Sequence, residues 1–144
     1  MMNLFRNFDI SASALTAERL RMDLISNNIA NARTTRTEEG GPYRRQVPIF
    51  ATVLEDKINA AGQVVRNYAG VKVVGIRNDN RPPQIVYDPS HPDANEAGYV
   101  AYPDINVVTE MVDLIGASRA YEANITAFNA AKDMFRAALE LGRA

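Results

Sequence analysis

Apolar residues near the start of the chain recur at intervals of seven: Phe8, Leu15, Met22 and Ile29. A second row, Ser11, Glu18, Ile25 and Ala32, runs three or four positions beside it, weakened by the charge at Glu18. A 3-4 alternation draws one stripe along a helix and suits packing lengthwise on another helix. Asp9 or Ser11 can cap the start, unless the helix begins nearer Phe5, and Thr34-Thr35 with Gly40-Gly41-Pro42 ends it. The pattern returns more cleanly at the far end. Val107, Leu114, Tyr121, Phe128 and Phe135 form one row, interleaved with Met111, Ser118, Ile125, Lys132 and Leu139. Asn106 suits the N-cap and Gly142 the stop, and the many alanines between raise helix propensity. This predicts two long terminal helices pairing as a coiled coil, with an ordinary two-helix core as the plainer reading.

Between the helices the pattern changes. All seven prolines lie from Pro42 to Pro103, so breakers are confined to the middle of the chain. Arg45 to Leu54, Gln63 to Arg66, Val71 to Arg77 and Gln84 to Tyr87 are rich in β-branched or aromatic residues. Gly62, Asn67, Gly70, Asn78-Asp79-Asn80 and Pro82-Pro83 separate them, which predicts short strands. The fold class expected is mainly α with a small β insert. Its parts are an N-terminal helix and connector at 1–41, a β-rich insert at 42–103 and a C-terminal helix at 104–144.

Composition narrows the chemistry. In 144 residues, 16 Lys and Arg stand against 17 Asp and Glu, giving a net charge of −1. Such a balance makes no electrostatic case for nucleic acid. The local cluster Arg33, Arg36, Arg44 and Arg45, broken by Glu38 and Glu39, reads as a solvated or partner-facing loop. The chain has no cysteine, which removes disulfides, thiolate metal sites and a Cys nucleophile together. No apolar run approaches the roughly 18 to 20 residues of a membrane span. Met1 to Arg6 lacks the basic-then-apolar order of a secretory signal.

The single histidine, His91, lies in Asp88-Pro89-Ser90-His91-Pro92-Asp93-Ala94-Asn95-Glu96. A catalytic triad draws its members from separate segments, which neighbours between two prolines cannot imitate. A metal reading lacks a second histidine and a known ligand spacing. The loop reads instead as a set of proline-fixed turns capped by Asp and Asn. No catalytic residue, metal site or cofactor is expected.

Four segments carry a family resemblance. Ser11-Ala12-Ser13-Ala14-Leu15 with Asn27-Asn28-Ile29-Ala30-Asn31-Ala32 is similar to the N-terminal signature of the flagellar axial family, the rod and hook proteins. Thr34-Thr35-Arg36-Thr37 with Gly41-Pro42-Tyr43-Arg44-Arg45-Gln46 resembles the proximal-rod members more narrowly. So does Asp88 to Asp93 leading into Gly98-Tyr99-Val100. Asn106-Val107-Val108-Thr109-Glu110-Met111 with Ala117-Ser118-Arg119-Ala120-Tyr121-Glu122-Ala123-Asn124 resembles the C-terminal axial signature. The short chain also fits a proximal-rod subunit.

The resemblance implies a structural subunit of the flagellar basal body, built into a hollow, torque-transmitting rod across the periplasm. It implies type III export without a cleaved signal peptide. The partners implied are further copies of this chain in a helical assembly, other rod proteins, and the basal adaptor and membrane-ring proteins, without nucleic acid or direct membrane insertion. The expected subunit contacts are Leu15, Met22, Ile25, Asn28, Ile29 and Asn31 on the first helix. On the second they are Met111, Leu114, Tyr121, Ile125, Phe128 and Phe135. For Asn27 to Asn31 two readings stand: amides bonding across subunits, or a helix end whose Asn residues satisfy loose carbonyls. A non-polymerising helical adaptor and a hydrolase using His91 are the readings from other classes. A lone dimer in solution marks the first, and loss of peptidoglycan cleavage in His91→Ala the second.

Overall fold

The computed structural model describes residues 2–58 and 64–142 of the chain. Helix α1 runs Met2–Ala30 and helix α2 runs Val107–Leu141. Between them lie β1 (Gln46–Ile58), β2 (Val64–Asn78), β3 (Gln84–Tyr87) and β4 (Tyr99–Tyr102). The helices lie side by side in opposite directions. Phe8 meets Phe128 edge to face, ring centres 4.9 Å apart, and Asn28 meets Glu110 at the other end. At 1.5 Å per residue, α2 is roughly 50 Å long and α1 roughly 40 Å.

Asn106 caps α2: its side-chain oxygen accepts from the N–H groups of Val108 and Thr109. Gly142 closes the helix with its N–H on Ala138 O, but at φ −80° it uses no left-handed turn.

The middle of the chain forms longer strands than its glycines suggest. β1 pairs antiparallel with β2 from Gln46↔Asn78 to Ile58↔Val64. The segments 63–66 and 71–77 therefore belong to one strand, apart from Gln63, which lies outside the described residues, and β1 continues past Leu54. Two register shifts place Val74 and Ala69 as extra residues on β2. Bulges of this kind bend a ribbon and sharpen its twist while leaving the pairing intact on either side. β3 and β4 form a second, separate antiparallel pair.

The long hairpin lies on α1, on a different side from α2. Its anchor is Ser13, whose hydroxyl donates to Ile10 O at 2.7 Å and accepts from Val71 N–H at 3.1 Å. Gly70 stands against Ser13 at φ +132°, where a Cβ would be strained and would overlap Ser13 Oγ. The layers therefore run α2, α1, hairpin, with α1 in the centre. Ala17, Leu24 and Ile25 on α1, Ala117 and Ala131 on α2, and Val100 and Ile105 are buried.

The inward face of α2 differs from the expected one. Val107, Leu114, Tyr121, Phe128 and Phe135 are half-buried as a row, but their companions are Glu110, Ala117, Asn124 and Ala131. Met111, Ile125 and Leu139 face outward. Close approach of two helices favours alanine and paired polar groups in the seam, which leaves the larger aliphatic side chains of the neighbouring row outside it.

Candidate assembly site

Asn28 makes four side-chain hydrogen bonds, more than any other side chain among the described residues, and it is only 1% exposed. Its amide lies beside Gln46 as a neighbouring strand would: Nδ2 donates to Gln46 O and Oδ1 accepts from Gln46 N–H, both at 2.9 Å. Nδ2 also donates to Glu110 Oε2 at 3.1 Å, and Tyr43 Oη donates to Asn28 Oδ1 at 3.1 Å. An asparagine amide has two donors and two acceptor sites, and all four are filled. The other Glu110 oxygen accepts from Arg45 Nε at 2.6 Å, and Arg45 also reaches Asp113 at 3.6 Å. One buried carboxylate is thus paired and hydrogen-bonded, the condition under which burial of a charge is tolerated. Burial, then the nearby Glu110 charge, raises the Tyr43 phenol above its usual value and keeps it a donor.

This staple joins α1, the start of β1 and the first turn of α2. Neither reading of the Asn27–Asn31 stretch describes Asn28, which bonds within the subunit. Asn31 does match the helix-end reading, donating to Asn27 O at 2.9 Å. Glu110 was missed among the expected contacts. Its signal was available: an acid in the seam row with Ala117, Asn124 and Ala131, just after a capping Asn.

Ile25 and Asn28, expected as subunit contacts, are buried inside the single chain at 5% and 1% exposure. Within the single chain their surfaces are covered by the chain's own elements. Leu15, Met22, Ile29, Asn31, Leu114, Tyr121, Phe128 and Phe135 are half-buried. Met111 and Ile125 are exposed.

The loop after β3 is a run of capped turns. Asp88 accepts from Ser90 N–H and Oγ, His91 Nδ1 accepts from Asp93 N–H, and Asn95 accepts from the N–H groups of Ala97 and Tyr99. The Ser90 hydroxyl bond lowers the Asp88 carboxyl below its usual range. Asp93 ties the loop to the chain after α1, through Thr35 at 2.8 Å and Arg36 at 3.1 Å. A second polar knot joins Arg81 to Asp79 and Asp104, both at 2.9 Å. Among the described residues no cluster of His, Asp and Glu has the arrangement of a metal site.

Among the described residues, two of the uncovered apolar surfaces border the helix pair. Val108, Met111, Val112 and Ile115 form a stripe at i, i+3, i+4 and i+7 on α2, between 51% and 71% exposed. Beside the hairpin, Ala17, Leu20, Val71 and Val73 floor an apolar groove of about 550 Å³, rimmed by Asp23, Arg19 and Lys72.

A helix pair stapled end to end, with open apolar faces, is the build of a structural subunit. Comparison with known proteins agrees. Residues 8–36 match the family described as flagella basal body rod protein, and residues 96–141 match the flagellar basal body rod FlgEFG protein C-terminal family. The chain is 47% identical to the flagellar basal-body rod protein FlgC of Borreliella burgdorferi, over 97% of this chain and 98% of that protein. To FlgC of Bacillus subtilis it is 43% identical, over 99% and 100%. To that of Salmonella typhimurium it is 38% identical, also over 99% and 100%.

These matches define a flagellar basal-body rod protein, structural and not enzymatic. Within that class the chain belongs to the FlgC family.

Proposed function

We propose that this rod protein is a self-assembling subunit of the proximal rod, its α1–α2 pair lying in the wall of a hollow drive shaft and its hairpins outside. The observation that carries the reading is the apolar stripe Val108, Met111, Val112 and Ile115 on a helix already fixed to its own subunit. Contiguous exposed apolar patches mark protein contacts. In this reading Leu15, Met22 and Ile29 with Leu114, Tyr121, Phe128 and Phe135 make a coiled-coil seam within the subunit. Met111 and Ile125 extend that packing to neighbours. The neighbours are further copies, other rod proteins and, at the base, the adaptor and membrane-ring components.

The test is purification of basal bodies from cells carrying a tagged copy, beside cells lacking the chain. The tagged copy is expected in the rod, and cells without the chain are expected not to swim. A soluble dimer absent from basal bodies would overturn the proposal and favour the adaptor reading.

A further inference from the structure

We propose that the open edge of β3 takes an extended segment of another protein as an added strand, one with apolar residues at alternate positions and an acid between them. The proposal concerns the second hairpin and stands apart from how the helix pair assembles.

β3 pairs only with β4, so one of its edges is left over. The bond from Asp88 N–H to Gly98 O at 2.9 Å sets the phase of the ladder, one step beyond the Tyr87↔Tyr99 pair. Hydrogen-bonded and non-bonded pairs alternate along antiparallel strands. Gln84, Val86 and Asp88 therefore turn their backbone groups to β4, and Ile85 and Tyr87 turn theirs away. Two N–H and two C=O groups face outward, and among the described residues nothing bonds them. β4 differs. The Tyr99 N–H donates to Asn95 Oδ1 and its C=O accepts from Asn95 N–H, so the chain's own loop closes that edge at Tyr99. The long hairpin carries the usual guards of an exposed edge: Pro48 in β1, Lys72 and Arg77 in β2, and its bulges. Gln84-Ile85-Val86-Tyr87 has no charge, proline or bulge.

The surroundings of this edge set the length and chemistry of its occupant. Pro83 and Pro89 fall at the next outward positions on either side and have no N–H to offer, which confines the slot to Ile85 and Tyr87. The register puts Ile85, Tyr87 and Tyr99 on one face, 61%, 64% and 44% exposed, with the two tyrosine rings edge to face at 5.2 Å. On the other face Val86 borders a cavity of about 310 Å³, walled by Ala32, Pro103 and Ile105 and carrying Arg33. Arg33 is exposed and has no acid partner among the described residues. A strand laid on the edge sends alternate side chains to these two faces. Apolar ones meet Ile85 and Tyr87, and an acid on the other side meets Arg33. Four backbone bonds and a few side chains make a weak contact, so the test works at high peptide concentration.

The probe is an acetylated and amidated five-residue peptide with valine at its odd positions, glutamate second and threonine fourth. It is added at millimolar concentration to the isotope-labelled full chain. The Ile85 and Tyr87 amides are expected to shift and to exchange with solvent several-fold more slowly, while the Val86 amide, already bonded to β4, keeps its rate. Arg33→Gln, or glutamine in place of the peptide's glutamate, should weaken binding several-fold. Ile85→Pro removes an outward N–H without touching the bonds to β4, and should abolish binding. If that variant does not fold, two N-methylated forms of the peptide replace it, one blocked at odd and one at even positions. Binding by only one of them supports strand addition, and equal binding overturns it. Unmoved Ile85 and Tyr87 amides overturn the proposal, as does a response confined to the tyrosine rings, which is surface binding without a strand. Protection of the same two amides that grows with chain concentration before peptide is added would put a second copy on this edge, and overturns it too.

Discussion

Asn28 Nδ2 donates a hydrogen bond to Glu110 Oε2 at 3.1 Å, between residues 82 positions apart. The bond ties the end of the first helix to the start of the last, and the same amide holds the first strand. Asn28→Ala strips the Gln46 backbone and the Glu110 carboxylate of a partner at once. Each buried polar group left unsatisfied costs about 1–3 kcal/mol. Urea unfolding of the purified chain should show a loss in that range or larger, and Asn28→Asp, which sets a second carboxylate beside Glu110, should be worse. A loss below about 0.5 kcal/mol for Asn28→Ala would show that the staple contributes little.

Phe128 gives the second prediction. Truncating a buried aromatic costs about 3–5 kcal/mol, and an unpaired charge in its place costs more. Phe128 is half-buried against Phe8, so the lower part of that range applies. Phe128→Asp should free the second half of α2 from α1 and abolish rods and swimming, while the Asn28–Glu110 end stays protected in hydrogen exchange. Normal rods in this variant would mean that Phe128 is not in a packed seam.

Gly70 tests the hairpin's attachment. Alanine there meets both an unfavourable φ and the Ser13 hydroxyl. Gly70→Ala should destabilise by about 1–3 kcal/mol and raise the exchange rate of the Val71 amide, which Ser13 now holds. Wild-type protection at Val71 would show that the strand docks without this contact.

Tyr43 predicts a pH dependence. Its pKa is raised in the fold above the usual 10.0, so the folded state keeps the proton longer than the unfolded chain does. The stabilisation is complete below pH 10 and is lost as pH rises through the folded value. Tyr43→Phe should therefore flatten the alkaline fall in stability relative to wild type in denaturant titrations between neutral pH and pH 11. Parallel curves for the two proteins would show that Tyr43 is not the group responsible.

The terminal helices were legible because proline is missing from both ends and the heptad rows are regular. The strands were only partly so. Gly70 reads as a break in sequence, yet it sits beside a bulge inside one continuous strand, since the bulge and the contact with Ser13 both require glycine. The seam on α2 misled for a related reason. Met111 and Ile125 are the stronger hydrophobes, but close helix approach selects Ala117 and Ala131, and partners supplied by other elements let Glu110 sit beside them. The role of Asn28 depends on a strand 18 positions later and a helix 82 positions later. No local pattern encodes such a meeting.

The two ends of the helix pair are held by different physics, and that has a mechanical consequence. At the Asn28 end, displacement of α1, β1 or α2 must break several directional bonds together, so the joint resists small shifts steeply. At the Phe8–Phe128 end the contact is dispersion between rings, which tolerates sliding and has no preferred angle as sharp as a hydrogen bond. Stiffness therefore falls along the pair, from a rigid root to a compliant tip. A load entering through the hairpin reaches both helices at the root by way of the start of β1, and reaches α1 a second time at Ser13, nearer the tip.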